Sequence, residues 1–267
     1  MGLAEALAIL AAGVGAGSIN AVVGSGSLIT FPTLLAFGFP PVMANVSNNL
    51  GMVPGNVSGS LGYRRELEGQ RSRLIRLGLI SGAGSLAGAV LLLSAPPSAF
   101  QLIVPVLILL ACVLVLVQPR LSAWVAARRE DRRDSSGEDS SGGNSRGGDS
   151  RGGPLLAAGV LLSGAYGGYF GAAQGVLIIG LLGTFLDESL QRVNGAKNIL
   201  VTIVNATAAV VFILFAHISW LAVLLIAIGS TIGGAIGARF GRRLPPTALR
   251  IIVVLIGVIS SVKLIFF

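Results

Sequence analysis

Long apolar runs separated by short polar loops dominate the chain. Runs at residues 44–63, 74–95, 99–118, 194–216, 219–240 and 249–267 reach the roughly 20 residues that a helix needs to cross about 30 Å of hydrocarbon, and predict six full spans. Two further apolar regions, 3–39 and 154–186, are too long for one straight span. Each is broken near its middle by small or polar residues, at Val23-Gly-Ser-Gly-Ser27 and Phe170-Gly-Ala-Ala-Gln-Gly175, and each predicts a broken, re-entrant helical hairpin.

Sliding the sequence by 149 positions without a gap superimposes its first part on its second. Gly15 meets Gly164, Gly26 meets Gly175, and Leu28 meets Leu177. Asn45, Asn49 and Asn56 meet Asn194, Asn198 and Asn205. Gly84, Gly88 and Ala89 then meet Gly233, Gly237 and Ala238, and Pro96-Pro97 meets Pro245-Pro246. Apolar residues coincide readily in any two membrane segments, whereas asparagines and a proline pair do not, so a duplication is the economical reading. Between the copies, residues 120–153 are rich in Arg, Asp, Glu, Ser and Gly and nearly devoid of apolar residues after Val125. Such a stretch cannot bury a core and is expected to be a disordered tether. The expected domains are 1–119, a first membrane repeat; 120–153, the linker; and 154–267, a second membrane repeat.

Basic loop residues are retained in the cytoplasm. Arg64, Arg65, Arg71, Arg73 and Arg76 mark one loop as inside, while its repeat partner at 213–219 carries only His217. The Pro96-Pro97 loop is uncharged, whereas its partner holds Arg239, Arg242 and Arg243. Paired loops therefore change sides, which predicts an all-α polytopic protein of two inverted repeats. Each would have three full spans plus one hairpin, about eight membrane segments in all, with a cytoplasmic linker and both termini external. Glu5 is the only charge before Arg64, so the first segment lacks the basic start of a cleaved signal and is expected to be retained.

Composition agrees: 53% of the 267 residues are of hydrophobic types and 11% are charged, with mean hydropathy +0.84. The net charge of +8 sits in loops flanking apolar runs, with no aromatic-interleaved basic patch, so no nucleic-acid partner is expected. One cysteine, Cys112, and one histidine, His217, cannot assemble a nucleophile, base and orienter or a metal cluster. Gly24-Ser-Gly-Ser27 lacks the Gly-Lys-Ser/Thr ending of a phosphate loop. Neither an enzyme nor a cofactor is expected.

A helix broken inside lipid strands backbone N–H and C=O groups unless they meet protein or line a cavity. Two breaks at matching positions thus point to a shared cavity, and the N-termini of the resuming half-helices suit an anion. The expected substrate-binding residues are Gly24, Ser25, Gly26, Ser27, Gly171, Gln174 and Gly175 at the breaks. Asn45, Asn49, Asn194 and Asn198 join them on the following helices. Packing kinks and interhelical amide bonds are the bland alternatives for these two groups. Lys197, at the position of Asn48, either faces inward to neutralise an anion or snorkels to the interface near Asp187 and Glu188. Arg250 and Lys263 read as interfacial anchors and His217 as a loop residue.

Val23-Gly-Ser-Gly-Ser-Leu-Ile-Thr-Phe-Pro-Thr-Leu-Leu35 with Ala44-Asn-Val-Ser-Asn-Asn49, and Gly167-Gly-Tyr-Phe-Gly-Ala-Ala-Gln-Gly175 with Asn194-Gly-Ala-Lys-Asn198, resemble the sulfite exporter TauE/SafE family of membrane transporters. The resemblance spans both membrane parts and omits the linker; Gly24-Ser25 stands where a glycine pair is usual, and Gln174 where a further glycine is expected. It implies a bacterial inner-membrane carrier, often an exporter, of sulfite or organosulfonates, with a small anionic substrate, the lipid bilayer and optionally a second copy of the chain as partners. Two rivals stand beside it: a carrier of another solute or a cation, lined by half-helix carbonyls, and a non-transporting scaffold that recruits a partner through residues 120–153.

Overall fold

The computed structural model describes residues 1–135, 153–186, 188–240 and 246–266. Ten α-helices follow one another: α1 (Leu3–Val22), α2 (Ser27–Ala36), α3 (Pro41–Gly62), α4 (Arg71–Ser94), α5 (Pro97–Ser135), α6 (Gly153–Tyr169), α7 (Gln174–Phe185), α8 (Leu190–Phe215), α9 (Trp220–Phe240) and α10 (Pro246–Phe266). A 3-10 turn, Arg64–Leu67, sits between α3 and α4, and the described residues contain no strand. Both apolar regions that were too long for one span break where expected, at residues 23–26 and 170–173.

Among the described residues, five helices are long and apolar enough to cross a membrane: Leu3–Val22, Arg71–Ser94, Pro97–Arg120, Leu190–Phe215 and Trp220–Arg239. This set differs from the runs read in the sequence. α1 reaches spanning length by itself, since its 20 residues rise about 30 Å, while α2 has only 10; the arms of the first hairpin are unequal. α3 has the length, 22 residues, yet its asparagines, serines and glycines lower its hydropathy.

The expected tether requires a correction. α5 runs on past Arg120 to Ser135, so residues 120–135 are helical. Ala, Arg and Glu are strong helix formers, and extending an existing helix avoids the cost of nucleation. The remainder of the tether, 136–152, lies outside the described residues, as do Asp187, Arg242, Arg243 and Pro245 and the side chain of Lys263.

Polarity is distributed as lipid demands. Leu79, Leu102, Val106, Leu162, Leu214 and Phe215 are exposed, while Asn20, Asn45, Asn48, Asn49, Asn56, Asn194, Asn198 and Asn205 are buried. Amides without water must pair inside the bundle.

Helix contacts occur in matched pairs. α1 packs on α9 as α6 packs on α4; α3 packs on α9 as α8 packs on α4; α2 packs on α10 as α7 packs on α5; α3 meets α8 and α5 meets α10. The sequence explains the tightest of these. A Cβ on Gly84 would lie 2.1 Å from the Leu161 carbonyl oxygen, and one on Gly88 2.0 Å from that of Ala165. Their counterparts Gly233 and Gly237 would meet the Val14 and Ser18 oxygens at 2.0 and 2.4 Å. The matched glycines thus let backbones touch, the contact that replaces hydrophobic drive in lipid.

Candidate functional site: two helix breaks in contact

The two breaks meet. The Gly175 N–H donates to the Gly24 carbonyl at 3.2 Å, and a Cβ on Gly24 would sit 2.6 Å from the Gly175 Cα. Gly24 has φ +86° and Ala173, at the matching position of the second break, φ +58°. In both breaks a left-handed residue reverses the chain before the next helix resumes. Gly24 takes that conformation freely; Ala173 carries a Cβ into it at a cost of roughly 1–2 kcal/mol. Phe31 packs edge-on against Phe170 with centroids 5.3 Å apart, and Phe100 against Tyr169 at 5.7 Å, which fixes the second break against α2 and α5.

The end of α1 leaves carbonyls without helical partners, and side chains from elsewhere meet them. Lys197 Nζ donates to the Asn20 and Ala21 oxygens at 2.9 and 3.2 Å. Asn198 Nδ2 also reaches the Ala21 oxygen, at 3.3 Å, and Gln118 Nε2 reaches that of Val23 at 3.2 Å. At the other break Asn45 Nδ2 donates to the Tyr169 oxygen at 3.0 Å. Lys197 therefore points inward and is fully buried. It does not snorkel, and among the described residues no carboxylate pairs with it.

The N–H groups divide differently from the sequence expectation. Those of Gly24, Gly26, Gly171 and Gly175 are all engaged, by the Ile19 oxygen, Asn20 Oδ1, and the Tyr166 and Gly24 oxygens. Those of Ser25, Ser27, Ala172 and Ala173 meet no acceptor among the described residues. Several buried side-chain atoms have no partner: Ser25 Oγ and both amide atoms of Gln174, next in sequence to the touching glycines, and Oδ1 of Asn49 and Asn194 on α3 and α8. Ser27, which opens α2, is only partly buried.

Of the expected residues, Gly24, Ser25, Gly26, Gly175, Lys197 and Asn198 converge on the end of α1, and Asn45 on the end of α6. Asn49 Nδ2 reaches Asn205 Oδ1 at 3.4 Å, a long bond between α3 and α8. Asn20 is the residue that sequence reasoning missed. Its Oδ1 receives the Gly26 N–H at 3.2 Å and its Nδ2 donates to Asn56 Oδ1 at 2.6 Å. Its repeat counterpart is Tyr169, so a search for matched asparagines passes over it. The usable signal is a lone amide in an apolar run three residues before a break. Asn48, likewise unmatched, bonds Thr30. Among the described residues no group of three or more His, Cys, Asp or Glu could hold a metal.

A helical bundle with apolar faces outward and touching helix breaks in a polar interior has the architecture of a multi-pass membrane protein. A family model described as sulfite exporter TauE/SafE matches residues 9–264, and the chain belongs to that family, one of membrane transporters. It is 27% identical over 266 residues to a probable membrane transporter protein of Haemophilus influenzae, covering 98% of this chain and 95% of that protein. It is 24% identical over 252 residues to the probable membrane transporter protein YfcA of Escherichia coli K12, covering 94% and 86%. Against the probable membrane transporter protein ORF9 of a Sinorhizobium species it is 23% identical over 249 residues, covering 93% and 88%. No solved structure matches the chain.

Proposed function

We propose that this chain is a secondary transporter that exports small sulfur-containing anions of the sulfite or organosulfonate type across the bacterial inner membrane. The substrate binds where the two breaks meet, between two inverted repeats, at about the bilayer midplane. The observation that carries this reading is the set of unmet donors beside a buried ammonium: the N–H groups of Ser25, Ser27, Ala172 and Ala173 with Lys197. Ser25, Gln174 and the asparagines 45, 49, 194 and 198 supply further polar atoms. Water-free N–H groups at the start of half-helices favour negative charge. The corresponding carbonyls at the end of α1 are already occupied by Lys197, Asn198 and Gln118, which weighs against a cation in their place.

The inverted arrangement is supported by the 149-residue repeat, the exchange of basic loops and the matched helix contacts. It places residues 120–153 in the cytoplasm and both termini outside, with three spans and one broken hairpin per repeat. The touching glycines close the site here, and rocking of one repeat against the other would open it to each side in turn. Reconstituted protein loaded with labelled sulfite or an organosulfonate should release it, and replacing Gly24 and Gly175 with leucine should abolish release. Release undiminished by that double change would refute a site at the breaks.

A further inference from the structure

We infer that Lys197 makes this site selective for singly charged anions, an inference that rests on the anion transport proposed above. Lys197 is the only Lys, Arg, Asp or Glu among the described residues that is fully buried. An ammonium carries three N–H donors; two are used on the Asn20 and Ala21 oxygens, and no acceptor among the described residues takes the third. The side chain runs against the junction, since a Cβ on Gly175 would lie 3.1 Å from Lys197 Cδ. A second, independent observation points to a ligand: Ser25 and Gln174, the chain neighbours of the touching Gly24 and Gly175, bury an Oγ and both amide atoms without partners.

Among the described residues, the charge balance of this interior is one cation and no anion. Glu188 is held by Arg73 and Arg192, Glu66 lies in the 3-10 turn beyond the end of α3, and Glu5 lies in the first turn of α1, at the far end from the break. An anion of one charge therefore leaves a neutral pair in a water-poor interior. A second negative charge would stay uncompensated, at a steep desolvation penalty. The remaining donors are neutral hydroxyl, amide and peptide groups, which hydrogen-bond the oxygens of a sulfonate or bisulfite without adding charge. The sorting is thus by charge number: organosulfonates with one negative group and bisulfite are taken, and sulfate and other dianions are rejected.

The test uses the purified full chain in detergent, at constant ionic strength in gluconate. Its thermal midpoint is followed as methanesulfonate or sulfate is added. Methanesulfonate should half-saturate at a concentration at least about tenfold below sulfate, and Lys197→Gln should raise the methanesulfonate value about tenfold, the scale of one lost hydrogen bond to a charged group. Sulfate binding as tightly as methanesulfonate overturns the inference, as does methanesulfonate binding that Lys197→Gln leaves unchanged. If that variant fails to fold, the wild-type comparison decides alone. Proteoliposomes separate the two readings. Equal transport of both anions removes charge selection and leaves anion transport standing. If neither anion shifts the midpoint or crosses, both readings fall.

Discussion

The carbonyl of Gly24 accepts the N–H of Gly175 at 3.2 Å, so the two interrupted helices touch backbone to backbone across 151 positions of sequence. Neither residue has room for a side chain there.

Gly24→Ala should therefore destabilise the fold by roughly 2–5 kcal/mol, combining left-handed strain with overpacking. Gly15→Ala, whose new methyl would meet only Ile29 Cδ1 at 3.8 Å, should be nearly neutral. Thermal unfolding in detergent ranks the two, and equal midpoints would contradict the contact.

Ala173→Gly should stabilise the chain slightly or leave it unchanged. Removing the Cβ from φ +58° relieves roughly 1–2 kcal/mol, and the added freedom of glycine in the unfolded chain offsets about 0.4–1 kcal/mol of that. A clear loss of stability would mean that Ala173 is not left-handed in the folded protein.

Asn20→Leu should cost roughly 2–4 kcal/mol, because it strands the Gly26 N–H and removes the bond to Asn56. Loss of anion-dependent stabilisation should accompany it, since Gly26 precedes the unmet Ser27 N–H. Full retention of both would show that the amide does not hold the break.

How far the sequence could be read follows from these same residues. The breaks at Gly24 and Gly171 were visible because glycine and polar residues interrupt apolar runs, and the interfaces at Gly84 and Gly233 because the repeat marks them twice. Asn20, Gln118 and the left-handed Ala173 were not legible. Asn20 and Gln118 meet their partners only through the fold, alanine does not ordinarily signal a left-handed backbone, and none of the three has an identical residue 149 positions away. The helical continuation to Ser135 was missed for another reason: a lack of apolar residues excludes a core, but it does not exclude a helix propagated from the membrane.

Glu188 provides a pH test outside the spans. Burial raises its carboxyl, but hydrogen bonds and charge from Arg73 and Arg192 outweigh this and hold it below the ordinary value of 4.5. Its contribution to stability is therefore present above that value and disappears as acidification passes the depressed one. Glu188→Gln should lower stability at neutral pH and leave it little changed in strong acid. Parallel wild-type and variant curves down to pH 2 would exclude the pairing.

Arg65→Cys and Arg239→Cys should react with membrane-impermeant thiol reagents only from the cytoplasmic side, and His217→Cys only from the outer side, in a chain whose native Cys112 is buried. All three residues are exposed. Arg65 and Arg239 labelling from opposite sides would eliminate the inverted arrangement.

The matched contacts have one more consequence. α4 finds its closest partners in α6 and α8, and α9 finds its own in α1 and α3. A nascent chain that has emerged only as far as α5 therefore carries the naked glycine face of α4 and waits for helices still on the ribosome. Expressed apart, neither portion could finish its own interior; co-expressed as two polypeptides cut within 136–152, they should find each other and complete it.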